Sequence, residues 1–131
     1  DYELIKNIAI NTNTKFILNT RNPINLLNSI NRWYDFRDRI INADLPNLPS
    51  GIGKKDNDII NWFNNHYNIC RKIFSIKSKF FFEFDISSKS AQKDLSDFLG
   101  IKIKWWGIKN SYEDELLLNS ALRGFGYTSK T

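Results

Sequence analysis

The stretch that most constrains this chain runs from Lys15 through Phe16-Ile17-Leu18-Asn19-Thr20 to Arg21-Asn22-Pro23 and on to Ser29. A short apolar run bounded by polar residues reads as a buried strand. Asn22 suits a helix N-cap, and Pro23 suits the first helical position, where its missing N–H is not needed. The helix that follows carries Leu26, Leu27, Ile30, Trp33 and Tyr34 as its expected apolar stripe. Asn22, Asn25 and Ser29 fall together on another face. Ligands of open α/β sheets bind beyond the carboxyl ends of the strands. A helix amino terminus at that edge offers backbone N–H groups and a positive dipole end to an anion. The stretch therefore outlines an anion site, with Arg21 at the strand's end.

The rest of the chain supplies the elements such a site needs. Leu4, Ile5, Ile8 and Ala9 fall at helical spacing in Tyr2–Ile10, and Asn11–Thr14 is a polar break. Tyr34–Arg39 reads as the frayed end of the second helix, with Arg32, Arg37 and Arg39 balanced locally by Asp35 and Asp38. Residues 44–55 hold two of the three prolines and the glycines Gly51 and Gly53, and read as a variable loop. Gly51-Ile52-Gly53 is no nucleotide fingerprint, because no strand precedes it and a third glycine is missing. Asp56–Ile76 reads as a long amphipathic helix and Phe80–Ile86 as a strand. Strand, helix and strand in that order predict a crossover and a parallel sheet. Ser87–Ser90 offer cap hydroxyls to a short helix at Ala91–Leu99, which Gly100 ends in the C′ position. Ile101–Ile108 alternates in part, Ser111–Leu122 reads as a last helix, and a polar tail begins at Arg123.

Several function classes recede at once. One cysteine, Cys70, allows no intrachain disulfide, and a reduced, cytoplasmic setting is the simplest expectation. No apolar run has the roughly 20 residues of a membrane helix. A formal net charge of +5 favours anionic partners, yet acidic residues are interspersed throughout and no nucleic-acid motif is readable. Nucleic acid is thus the weaker expectation.

The quoted residues resemble a known family. Lys15–Pro23 continuing to Ser29 looks like the 3′-phosphate-binding segment of sulfotransferases, in which an Arg-[Asp/Asn]-Pro turn is followed by a Ser eight residues after the Arg. The family's order continues in Trp62–Tyr67, in Phe80–Ile86 with its acidic residues, and in Asp94–Gly100 closing in Phe-Leu-Gly, so the likeness spans roughly residues 15–100. The resemblance implies an α/β fold, part of a P-loop-like three-layer domain with a parallel sheet flanked by helices. It implies 3′-phosphoadenosine 5′-phosphosulfate as donor, a hydroxyl or amine acceptor and no metal. Arg21, Ser29 and Asn22 would hold the nucleotide's 3′-phosphate, and Arg123-Gly124 loosely echoes a carboxyl-terminal Arg-Lys-Gly segment that does the same in some members. The 44–55 loop would select the acceptor.

The departures from the family pattern are equally specific. The Pro-Lys-Ser-Gly-Thr-Thr-like loop that cradles the 5′-phosphosulfate does not occur in these 131 residues, and no residue matches the catalytic base. The expectation is a single sulfotransferase-like domain whose natural beginning lies upstream. Two other readings stay open: a non-catalytic basic module for nucleic acid or acidic glycan, and a sulfotransferase scaffold that has lost its donor site. His66, the only histidine, lies mid-helix without a partner carboxylate and is expected to be structural. Cys70 is expected to be a small buried hydrophobe. Of Glu83 and Asp85, one is expected at solvent or capping a loop, and Trp105-Trp106 is expected to anchor the terminal segment.

Overall fold

The computed structural model describes residues 1–107. Its elements are α1 (Tyr2–Asn11), β1 (Phe16–Thr20), α2 (Pro23–Arg32), α3 (Phe36–Asn42), α4 (Asp56–Phe74), a short 3₁₀ segment (Ser75–Phe80), β2 (Phe81–Asp85) and α5 (Ala91–Leu99). The chain is mixed α/β. Among the described residues the sheet has two strands, β1 and β2, paired in parallel with Phe16 opposite Phe81 and Thr20 opposite Asp85. α4 makes the crossover that parallel pairing requires. No helix among the described residues is long and apolar enough to cross a membrane.

α4 runs antiparallel to the strands, and aromatic packing fixes its direction. Phe74, at its carboxyl end, stacks on Phe16 with ring centroids 4.6 Å apart and meets Phe81 edge-on at 5.5 Å. Phe16 and Phe81 are the first residues of their strands, so that end of α4 lies at the sheet's amino edge. There Leu18, Tyr67, Cys70, Ile73 and Phe74 form one buried cluster, with Ala9 bringing in α1. Arg71 reaches from α4 to Glu83 on β2, its Nη2 2.6 Å from Oε1 and its Nε 2.9 Å from Oε2. This forked pair is half-buried and charge-assisted, and it locks the helix to the second strand.

The amino half of α4 projects past the sheet's carboxyl edge and builds a second cluster. Leu27 and Ile30 of α2, Ile40 of α3, Leu48 of the loop and Ile59 of α4 are all buried together. Each such side chain contributes about 1.5–3 kcal/mol by leaving water. This cluster holds α2 in place, and with it the turn at Arg21.

Several expectations from the sequence are corrected or extended here. Residues 36–42 form a separate helix rather than a frayed end, because α2 stops at Arg32 and Trp33 turns extended. Tyr34 consequently leaves the apolar stripe and stands 97% exposed. The 44–55 segment is a loop, as expected, and it is packed against the helices. Leu48 is 2% exposed, the Trp62 indole donates to the Pro46 carbonyl, and the Arg37 guanidinium donates to the carbonyls of Gly53 and Lys54 and to Asp56. Ser90 caps α5 without a side-chain bond, the Ser88 hydroxyl accepting from the Ser90 N–H instead. Ile101–Gly107 forms no strand: Ile103 is tied back to α5 through Ser96 and Gln92, and Trp106 tilts against Phe84. The helix expected at Ser111–Leu122, and Arg123 and Gly124, lie outside the described residues.

Candidate functional site

The candidate site forms where β1 hands over to α2. Thr20 ends the ladder, its hydroxyl donating to the Phe84 carbonyl at 3.1 Å and its carbonyl accepting the Ile86 N–H at 3.0 Å. Arg21 is the next residue, at the carboxyl edge, and is exposed. Among the described residues its guanidinium makes no hydrogen bond or ion pair. An unpaired guanidinium offers a rigid fork of donors to a planar or tetrahedral oxyanion.

Asn22 does what the sequence predicts, and the consequence changes the site. Its Oδ1 accepts from the Ile24 N–H at 2.9 Å and from the Asn25 N–H at 3.3 Å, and its carbonyl accepts from Leu26. Pro23 has no N–H to give. The first-turn donors that were expected to meet a phosphate are therefore already used by the cap. The helix dipole still favours an anion there, but the hydrogen bonds must come from side chains: Arg21, the NH₂ of Asn22, and Ser29.

Ser29 lies about 10 Å along the helix axis from Asn22, on the same face. It is half-buried. A helical serine commonly bonds back to the carbonyl four residues earlier, as Ser96 does to Gln92 at 2.7 Å. Ser29 makes no such bond, and among the described residues its hydroxyl has no partner. Arg21, Asn22 and Ser29 are thus joined by one strand–turn–helix unit, each with donors uncommitted.

No family model, no curated protein and no solved structure matches this chain. What the site can do is read from its own residues. Asp85 borders it at the end of β2, exposed, and its Oδ1 accepts both the N–H and the hydroxyl of Ser87, at 2.8 and 2.5 Å. Those bonds, with a smaller contribution from Arg21, hold its carboxyl below the usual range. Glu83, two residues earlier on β2, is spent on Arg71. A groove of about 280 Å³ lies along the amino half of α4, lined by Asn47, Ile52, Asp58, Asn61, Trp62 and Asn65. It shares the sheet's carboxyl end with Arg21, because α4 runs antiparallel to the strands.

His66 and Cys70 form a pair that sequence reading did not bring together. Cys70 Sγ lies 3.6 Å from His66 Nε2, and the Tyr2 hydroxyl lies 2.8 Å from His66 Nδ1. Burial pushes the Cys70 thiol up and His66 down, so both are held neutral and a reactive thiolate–imidazolium pair is disfavoured. The signal was legible in the spacing of four between them, but the contact from Tyr2 was not.

A pH dependence follows from His66. Its ordinary value is 6.5 and desolvation lowers it in the fold. Between the folded value and 6.5 the unfolded chain carries more protons, so stability rises with pH in that window. The contribution is complete above 6.5 and is lost as pH falls through the folded value. Melting curves of the wild type should therefore drop as pH is lowered from 6.5, and His66→Gln should flatten that part of the profile. Parallel profiles for the two proteins would contradict the assignment.

Proposed function

We propose that this chain is a sulfotransferase-like domain of P-loop-like, three-layer architecture that binds 3′-phosphoadenosine 5′-phosphosulfate. Arg21 and Ser29 hold the nucleotide's 3′-phosphate, with the Asn22 amide beside them. The observation that carries this reading is the set of uncommitted donors at the carboxyl end of β1. Among the described residues, an unpaired arginine is followed by a capped helix and by a serine whose hydroxyl is not bonded back. The likeness of residues 15–100 to the sulfotransferase pattern supports the choice of nucleotide over other oxyanions. The acceptor, a hydroxyl or amine, would approach from the groove beside the 44–55 loop.

Sulfuryl transfer needs in-line positioning, neutralisation of charge at the bridging oxygen, and a base for the acceptor. These residues serve the first need by fixing the nucleotide from its 3′ end.

Adenosine 3′,5′-bisphosphate should raise the melting temperature by roughly 10 °C at about 100 times its Kd. Arg21→Ala should weaken binding by about a hundredfold, the value of a charge-assisted phosphate contact, and so erase the shift. The unliganded melting temperature should stay put, because Arg21 is exposed and has no hydrogen-bond or ion-pair partner among the described residues. A wild-type chain that shows no shift, or an Arg21→Ala chain that keeps it, would refute the reading.

A further inference from the structure

We infer that Asp85 reads the ribose 2′-hydroxyl of the nucleotide and so makes the site selective for a ribonucleotide over its 2′-deoxy analogue. The inference rests on the donor-site reading above and names a specificity-determining residue within it.

The parallel register places Thr20 opposite Asp85, and the Ile86 N–H closes the ladder on the Thr20 carbonyl. Arg21 and Asp85 therefore leave the same sheet edge on neighbouring strands, one residue out of step. A carboxylate so close to a phosphate-binding arginine repels the phosphate and competes for the guanidinium. The juxtaposition is productive for a ligand that presents a hydroxyl donor beside its phosphate. A ribose 3′-phosphate is such a ligand, since its 2′-hydroxyl sits on the adjacent ring carbon. An acidic residue at the end of a neighbouring parallel strand is also how dinucleotide-binding sheets take a ribose hydroxyl.

Asp85 is prepared for this role. Ser87 occupies its Oδ1 twice, through the N–H and the hydroxyl, and fixes the carboxyl group's orientation. Its Oδ2 accepts no hydrogen bond among the described residues. The bonds from Ser87 also keep the carboxyl ionised, as an acceptor for a hydroxyl must be. Asp85 is exposed, so the bond it offers competes with water and a moderate selectivity is expected.

The test compares adenosine 3′,5′-bisphosphate with 2′-deoxyadenosine 3′,5′-bisphosphate by titration calorimetry. The wild-type chain should prefer the ribonucleotide by about tenfold. Asp85→Asn replaces Oδ2 with a donor and retains an oxygen for Ser87. It should bring the ratio close to one, while the loss of its negative charge shifts the phosphate affinity of both nucleotides alike. Ser87→Ala loosens the turn but leaves Oδ2, and should keep a preference. Arg21→Ala should lose both ligands. A ratio near one in the wild type, or a ratio unmoved by Asp85→Asn, overturns the inference and leaves the Arg21 reading standing. A ratio lost equally in Ser87→Ala assigns the selectivity to the turn and overturns it too. Binding of neither nucleotide by the wild type sinks the donor-site reading itself.

Discussion

Gly53→Ala is expected to lower stability by about 3 kcal/mol, a fall in melting temperature on the order of 10 °C. Gly53 is buried with φ +115°, a conformation that side-chain-bearing residues rarely adopt. A Cβ there would lie 2.9 Å from Ile59 Cδ1 and 3.4 Å from Ile41 Cγ1. Ile59 is 0% exposed and is hemmed in by Leu27, Ile30, Ile40 and Leu48, so it has no space into which to retreat. The backbone cannot yield either, since the Gly53 carbonyl accepts from both Nε and Nη2 of Arg37. Backbone strain of about 1–3 kcal/mol and overpacking of similar size both apply. Gly51 supplies the control. Its φ is +88° but a Cβ there meets nothing within 4 Å, so Gly51→Ala carries the backbone cost alone, about 1 kcal/mol. Urea denaturation of the two variants separates the contributions, and equal losses would mean that contact with Ile59 does not matter. Gly53 thus has a packing reason and Gly51 a backbone one, and neither needs a phosphate to explain it.

Local chemistry made the candidate site legible and left its surroundings dark. Asn22, Pro23 and the apolar run before them predict strand, cap and helix from neighbours in sequence, and all three are present. Gly100 likewise ends α5 in the left-handed conformation with φ +73°. What failed depended on partners far along the chain. Arg37 looked like a member of a local charge cluster with Asp35 and Asp38. Its guanidinium instead binds Asn31, Gly53, Lys54 and Asp56, and so packs the 44–55 loop against the helices. Arg39 does pair locally, with Asp35 at 3.3 Å. Tyr34 fitted a helical period that continued only on paper, because α2 ends at Arg32. At the helix terminus the backbone donors are taken up for a subtler reason. The Oδ1 that makes Asn22 a good cap also consumes the Ile24 and Asn25 N–H donors a phosphate would use. A strong cap and an open helix terminus are alternatives, which moves the burden of anion binding to Arg21 and Ser29.

Phe74→Ala should cost the most, about 4 kcal/mol, at the level expected for a buried phenylalanine in a core that cannot collapse. Phe74 is 8% exposed and touches the first residue of each strand, so its ring is shared by α4, β1 and β2. Its removal empties the junction that fixes the crossover, and aromatic stacking with Phe16 is lost with it. Phe74→Leu retains most of the volume and should cost about 1.5 kcal/mol. Urea denaturation checks both values, and a loss below about 1 kcal/mol for Phe74→Ala would show that α4 is held to the sheet by other contacts, the Arg71–Glu83 pair first among them. The same variant separates scaffold from site. Arg21 has its place only because β1 lies in register with β2 beneath α4, so Phe74→Ala should weaken nucleotide binding in proportion to the fraction unfolded. Lowering the temperature should recover that binding where the fold is recovered. Arg21→Ala should behave in the opposite way, with stability intact and binding lost at every temperature. Two variants at opposite edges of one sheet then give opposite signatures, as expected if the phosphate is held by side chains at the carboxyl edge and the strands are positioned from the amino edge.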